Sequence, residues 1–185
     1  VMSELDELRE VQTASREIFD GKIMHVFEDT VRLPDGNAAT REYMRHIGAV
    51  CVIPVLENGD VLVERQYRYP VGQVLTEIPA GKLDRRDEDR LLAAQRELRE
   101  ETGAEAGEWT SLGLFYPACA YSDEAIEMFL ARGIRFGERH LDKDEFLNVT
   151  RMPLAALLEA VMAAEVPDTK TQIAVLKAAR LLGLR

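Results

Sequence analysis

Glu97, Glu100 and Glu101 crowd into the segment Gln95–Gly103, and acids spaced this closely suit the chemistry of hard divalent cations. At about 100° per residue along a helix, Glu97 and Glu101 lie about 40° apart, with Glu100 about 60° to the other side. Three carboxylates therefore share one helix face. Like charges at this spacing disfavour a helix by roughly a few tenths of a kcal/mol per pair. They also gather at the C-terminal end, where the helix dipole disfavours negative charge. A helix built for stability alone would carry Lys or Arg there, whereas a bridging Mg²⁺ or Mn²⁺ would remove the conflict. By itself the pattern also fits a solvated acidic face partly neutralised by Arg96 and Arg99.

The helix that must carry these acids is predicted over residues 88–102. It is rich in Ala, Leu, Arg and Glu, and Leu91, Ala94 and Leu98 form an apolar stripe to dock it. Gly103 supplies its stop. Upstream, Val74–Gly81 reads as a strand ending at a turn. Residues 3–10 suggest a short helix or a frayed end. Antiparallel strands are expected from Thr13 to about Arg45, turning at Leu33-Pro34-Asp35-Gly36-Asn37. Ile47–Leu56 and Val61–Arg68 read as a hairpin closed by Asn58-Gly59. Further strands are expected at Trp109–Phe115, at Ile126–Ala131 and after Asp142–Val149, and helices at Pro153–Ala164 and Asp168–Leu182. This is a mixed sheet with its helices late in the chain, an α+β sandwich.

At 185 residues, 46% hydrophobic and 30% charged, the chain suits one sizeable core. Its apolar runs, such as Ile47–Ile53, are strand-sized, so no membrane span is expected. The segment Met2–Gln12 is acidic and lacks an apolar stretch, which predicts no secretory signal and a cytoplasmic location. A net charge of −10 repels a phosphate backbone, and no basic stripe offsets it, so nucleic acid is excluded as a primary partner. A small phosphate substrate meets the same repulsion unless some acids carry divalent cations. Cys51 and Cys119 sit in no metal-like spacing and read as buried, reduced thiols. His25, His46 and His140 read as structural or surface residues. Tyr67, Tyr69 and Phe115 read as strand core, with base stacking the alternative.

The stretch GKLDRRDEDRLLAAQRELREETGA, residues 81–104, resembles the Nudix box. Arg96, Glu97, Leu98, Glu100, Glu101 and Gly103 fill the second half of that pattern without a gap. Glu88 fits its upstream acid; Gly81 then sits one residue early, as though the loop carried an insertion. Counting from Gly81 instead would put Asp87 at that position. The runs VERQYRYPVGQVLTEIPAGKLD and FYPACAYSDE are similar to the ADP-ribose pyrophosphatase branch of the family, so the resemblance covers nearly the whole chain.

The resemblance implies a Nudix-type α/β/α sandwich over 46–185 and an N-terminal antiparallel strand extension over 1–45 that forms a homodimer. It implies Mg²⁺-dependent hydrolysis, with Mn²⁺ as substitute, of a nucleoside diphosphate derivative. ADP-ribose is the expected substrate, cleaved to AMP and ribose 5-phosphate. The metal ligands carried over are Glu97, Glu101, the Ala80 carbonyl beside Gly81, and Glu145, with Asp144 the competitor for that loop position. Glu100 is expected on a further metal ion. Catalysis is expected from Glu145, Glu100 and Glu101, with Glu145 preferred over the helix acids as general base. Arg96 is expected to hold the box loop through Glu88 and orient the ligands. Arg68 and Arg65 are expected on phosphate or ribose, and Glu124 on the later loop is a further acid for the site. Glu77 is either a ribose contact or a member of an ion pair. Arg41 or Arg45 is expected to reach the partner's site. One departure stands out: the branch's marker proline after Tyr-Pro is here Cys119. It leaves room for a nucleotide-sugar hydrolase acting on a compound such as GDP-mannose. A catalytically silent ligand sensor is the remaining alternative.

Overall fold

Ala49–Pro54 is a run of six apolar residues in which every position is buried. A strand alternates its side chains between two faces, so such a run needs cover on both. The computed structural model, which describes residues 7–139 and 146–184, supplies that cover.

Two compact units result. One comprises the chain up to His46 together with Ala118–Glu124. It holds an antiparallel meander of β1 (Val11–Asp20), β2 (His25–Arg32) and β3 (Ala38–Arg45) in that order. The β2–β3 turn forms at the expected Leu33–Asn37. There the Leu33 N–H donates to the Asn37 carbonyl at 2.8 Å, and Gly36 takes a φ of 89°. β3 ends against the 118–124 segment through a Met44–Ser122 bridge and the His46 N–H, which donates to Asp123 at 2.6 Å.

The second unit runs from Ile47 to Pro117 and resumes at Ala125. Its strands are β4 (Ala49–Pro54), β5 (Asp60–Arg68), β6 (Gln73–Glu77), β7 (Ala80–Lys82), β8 (Ala104–Phe115), β9 (Ile126–Phe136) and β10 (Leu147–Pro153). Its helices are α1 (Arg90–Thr102), α2 (Leu154–Met162) and α3 (Thr169–Leu181). A mixed sheet has the order β7-β4-β9-β8, with β4 and β9 parallel; an antiparallel sheet has the order β10-β5-β6. Val50 and Val52 join Leu62, Ala94, Leu98 and Phe129 in the core under α1. Cys51 and Ile53 join Val63, Met128, Leu157 and Val175 in the core under α2 and α3. β4 is thus the middle layer of an α/β/α sandwich, and each fully buried Val or Leu contributes roughly 1.5–3 kcal/mol.

Several sequence expectations are corrected. β4 and β5 are not a hairpin: beyond a single Val55–Val61 bridge the turn at Asn58-Gly59 sends them into different sheets. All of β4 and the Val61–Glu64 stretch of β5 are buried on both faces, and each strand contributes to both cores. Likewise Val74–Gly81 is not one strand. The chain leaves β6 after Glu77, crosses at Ile78-Pro79 and enters the other sheet as β7. Pro79 has no N–H to extend a ladder, and its carbonyl accepts from Val52 at 2.9 Å instead. The strand expected at Trp109–Phe115 begins earlier, at Ala104, and the one at Ile126 runs on to Phe136. The α1 helix starts at Arg90 because Asp89 caps it. Cys119 is exposed, whereas Cys51 is buried as expected.

Candidate active site

α1 is fixed at both ends before any chemistry is considered. Asp89 accepts the N–H groups of Leu91 at 2.9 Å and Leu92 at 3.0 Å. Gly103 closes the other end at a φ of 70°, its N–H donating to the Arg99 carbonyl at 2.8 Å. With Ala94 and Leu98 turned into the core, the helical register leaves Glu97 and Glu101 against β7.

The fit at β7 is close. A Cβ on Gly81 would fall 2.0 Å from the Glu97 carboxyl carbon, so the carboxylate lies where any side chain at 81 would be. Glu101 is only 4% exposed, and its Oε2 accepts the Ala80 N–H at 3.0 Å. Arg96 gathers the remaining acids. Its Nη1 donates to Glu97 at 2.7 Å and Glu100 at 3.2 Å, and its Nη2 donates to the Lys82 carbonyl at 3.2 Å. Its Nε lies 3.5 Å from both Asp84 and Glu88. Glu88 in turn accepts the Asp84 N–H at 2.7 Å, whereas Asp87 faces solvent beside Arg85. Glu88 is therefore the acid turned toward Arg96. Burial works against the guanidinium's charge, but Glu97, Asp84 and Glu88 outweigh it and hold the pKa above the usual arginine value.

A second charged group lies at the end of β6. Arg68 donates to both oxygens of Glu77, each at 2.7 Å, and Lys170 also donates to Glu77. Burial raises the Glu77 pKa, but the Arg68 hydrogen bonds and Lys170 more than offset this and hold it below the usual value. Of the two readings for Glu77, the structure shows the ion pair, with Arg68 on both carboxylate oxygens. Arg65 is exposed on β5. Tyr67 and Tyr69, expected in the core, are exposed at 56% and 85%, whereas Phe115 packs against the core.

Arg45 and Glu124 belong to the N-terminal unit. The Arg45 guanidinium sits 3.8 Å over the Phe27 ring and donates to the Tyr43 hydroxyl, which donates to the buried Asp29 at 3.0 Å. Ser15, ahead of Tyr43 and Gln12, holds the Asp29 pKa down against the effect of burial. Arg41 pairs with Glu10 of its own chain. The Glu124 N–H donates to Ser122 at 3.1 Å, and its carboxylate is 3.8 Å from His46. His25, expected as a structural or surface residue, lies beside the exposed Glu17 and Asp20. Glu145, Asp144 and His140 lie outside the described residues.

The structure thus brings Ala80, Gly81, Glu88, Arg96, Glu97, Glu100 and Glu101 together. The group offers carboxylate and backbone oxygens and no thiolate or imidazole, the donor chemistry of Mg²⁺ or Mn²⁺. Sequence reading missed Asp168, Lys170 and Thr171. The Ile78 N–H donates to the Thr171 hydroxyl at 3.0 Å, and that hydroxyl donates to Asp168 at 2.6 Å. Asp-Thr-Lys-Thr is legible as a helix start, but nothing local in it points to a strand end so far away in sequence.

Comparison with known proteins accords with this arrangement. The NUDIX domain family matches residues 44–172, and the nucleoside diphosphate sugar hydrolase N-terminal domain matches residues 11–44. An ADP-ribose pyrophosphatase of Bacillus subtilis is 38% identical over 92% of this chain and 93% of its own. A methanol dehydrogenase activator of Bacillus methanolicus is 36% identical over 94% of each. A crystal structure of an ADP compounds hydrolase has the same fold, with a TM-score of 0.83 at 20% identity over 95% of this chain and 96% of its own. A glycine kept bare beneath a helical glutamate, in a chain matched by that family over most of its length, leads to one conclusion: this protein belongs to the Nudix family.

Proposed function

We propose that this protein hydrolyses the pyrophosphate bond of ADP-ribose, giving AMP and ribose 5-phosphate, with Mg²⁺ as the metal and Mn²⁺ as its substitute. The observation that carries the reading is the Glu97 carboxylate laid over Gly81 while Glu101 grips the next residue back, Ala80. Glu97, Glu100, Glu101, the Ala80 carbonyl and Glu145 would hold the metal. Bound there, it would offset the diphosphate charge and lower the pKa of an attacking water. The chain's own residues do the rest. Arg96 keeps Glu97 and Glu100 in one orientation, and Glu145 serves as general base for the water. Arg68 and Arg65 face the phosphates or ribose electrostatically, and Glu124 and Arg45 contribute to substrate binding. We further read the N-terminal strands as a dimerisation extension and the protein as a cytoplasmic homodimer. Cys119, at the branch's marker position, keeps a nucleotide sugar as the second substrate class.

A panel of nucleoside diphosphate compounds with Mg²⁺ tests the reading. ADP-ribose is expected to turn over fastest, and Glu101→Gln is expected to lower that turnover about a thousandfold with the fold intact. Equal or faster cleavage of GDP-mannose would reverse the substrate assignment. No turnover of any such compound would leave the ligand-sensor alternative in its place.

A further inference from the structure

The four consecutive residues Glu77–Ala80, which carry the chain from one sheet to the other, are held by four elements between them. Glu77 is held by Arg68 of β5 and Lys170 of α3. Its neighbour Ile78, 1% exposed, donates its N–H to Thr171 in the first turn of α3. Pro79 accepts from Val52 of β4, and Ala80 donates to Glu101 of α1. Thr171 is itself fully buried and braced. Its hydroxyl donates to Asp168 at 2.6 Å, and its N–H donates to the same carboxylate oxygen at 2.9 Å. Lys170 is tied to Asp168 as well, at 2.9 Å. The single hydroxyl of Thr171 thus works in both directions, accepting from the strand crossing and donating to the helix cap.

The distance from this brace to the proposed metal site is short. Ile78 and Ala80 are two residues apart, about 7 Å along an extended chain. The crossing contains proline and is buried from Glu77 to Pro79, so it has little slack to absorb a shift. Ala80 and Gly81 are the two backbone positions against which Glu101 and Glu97 are set. We infer that the first turn of α3 is a positioning element for the metal site: Thr171 and Lys170 fix the 77–81 crossing and thereby set the spacing between Ala80 and the α1 acids. The inference rests on the reading of those acids as metal ligands.

Mn²⁺ binding to the intact protein, read by electron paramagnetic resonance of the free ion, tests this without depending on turnover. Thr171→Val removes the hydroxyl, whereas Thr171→Ser keeps it and removes only a methyl. Both are expected to lower the Tm. Only Thr171→Val is expected to weaken Mn²⁺ binding, by about tenfold, and to raise the Mg²⁺ needed for half-maximal turnover by a similar factor. Lys170→Gln, which leaves Glu77 paired with Arg68, is expected to weaken Mn²⁺ in the same direction and serves if the valine variant does not fold. Parent-like Mn²⁺ binding in Thr171→Val or Lys170→Gln, or equal losses in Thr171→Ser and Thr171→Val, would overturn the inference. Glu101→Gln separates the two levels. If it also binds Mn²⁺ as the parent does, the metal reading itself has failed; if it alone loses Mn²⁺, only the positioning role has.

Discussion

At residue 81 a hydrogen atom decides the geometry. A Cβ at 2.0 Å from the Glu97 carboxyl carbon is far inside van der Waals contact, so Gly81→Ala must push that carboxylate off β7. Arg96 then competes for it, since its Nη1 already donates to Glu97 and Glu100. A displacement on the ångström scale at a reacting centre lowers rates by about a hundredfold, which is the loss expected in kcat/KM for Gly81→Ala. Circular dichroism should remain that of the parent, because the change touches neither core. Activity close to the parent's at saturating Mg²⁺ would show that Glu97 does not act from this position. The acids themselves were legible in the sequence, because helical spacing alone puts three carboxylates on one face. Their companions were less so. Glu88 was preferred over Asp87 from the count back from Arg96, and the fold turns Glu88 toward Arg96 and leaves Asp87 in solvent.

Elements were read best where local chemistry marks their ends. Asp89 and Gly103 bracket α1, and Asp35-Gly36 marks the β2–β3 turn. What escaped was partner choice: Asn58-Gly59 makes a tight turn whether or not its strands pair, and Ile78-Pro79 looks like a strand end whether or not the chain re-enters another sheet. The crossing there is held by charge, and its stability should therefore follow pH. The Glu77 pKa lies below 4.5 in the fold because Arg68 and Lys170 outweigh burial. Its ion pairs therefore stabilise the protein fully above about pH 4.5, and that contribution fades as pH falls through the lower folded value. Glu77→Gln takes the countercharge from Arg68 and leaves Lys170 only its pairing with Asp168, and is expected to reduce unfolding free energy by about 2 kcal/mol at neutral pH. Urea titrations at pH 7 and near pH 3 should show the gap between parent and variant narrowing in acid. A gap that stays constant across that range would mean the pair stabilises by packing, not by charge.

On the scale of the whole molecule, β1 raises a question of cover. All ten of its residues are exposed, and among the described residues it pairs only with β2, leaving an open edge of backbone donors and acceptors. Ile18 and Phe19 are 49% and 55% exposed on this strand, and Ile23 and Met24, at the turn that follows, are 59% and 49% exposed. Four large apolar side chains around one open edge are more than a solvated strand retains without a partner. A second copy of the chain is the occupant proposed, in keeping with the dimer implied by the N-terminal extension. The parent is then expected to run in solution at twice its 20.8 kDa chain mass. Phe19→Asp places a charge among those apolar groups, and light scattering coupled to gel filtration should find it shifted to the single-chain mass. The buried Asp29 network lies on β2 and β3 with Gln12 of β1, away from Phe19, so the meander itself should survive the substitution. A parent that elutes at 20.8 kDa at micromolar concentration would remove the dimer and leave the exposed edge of β1 to be explained by another partner.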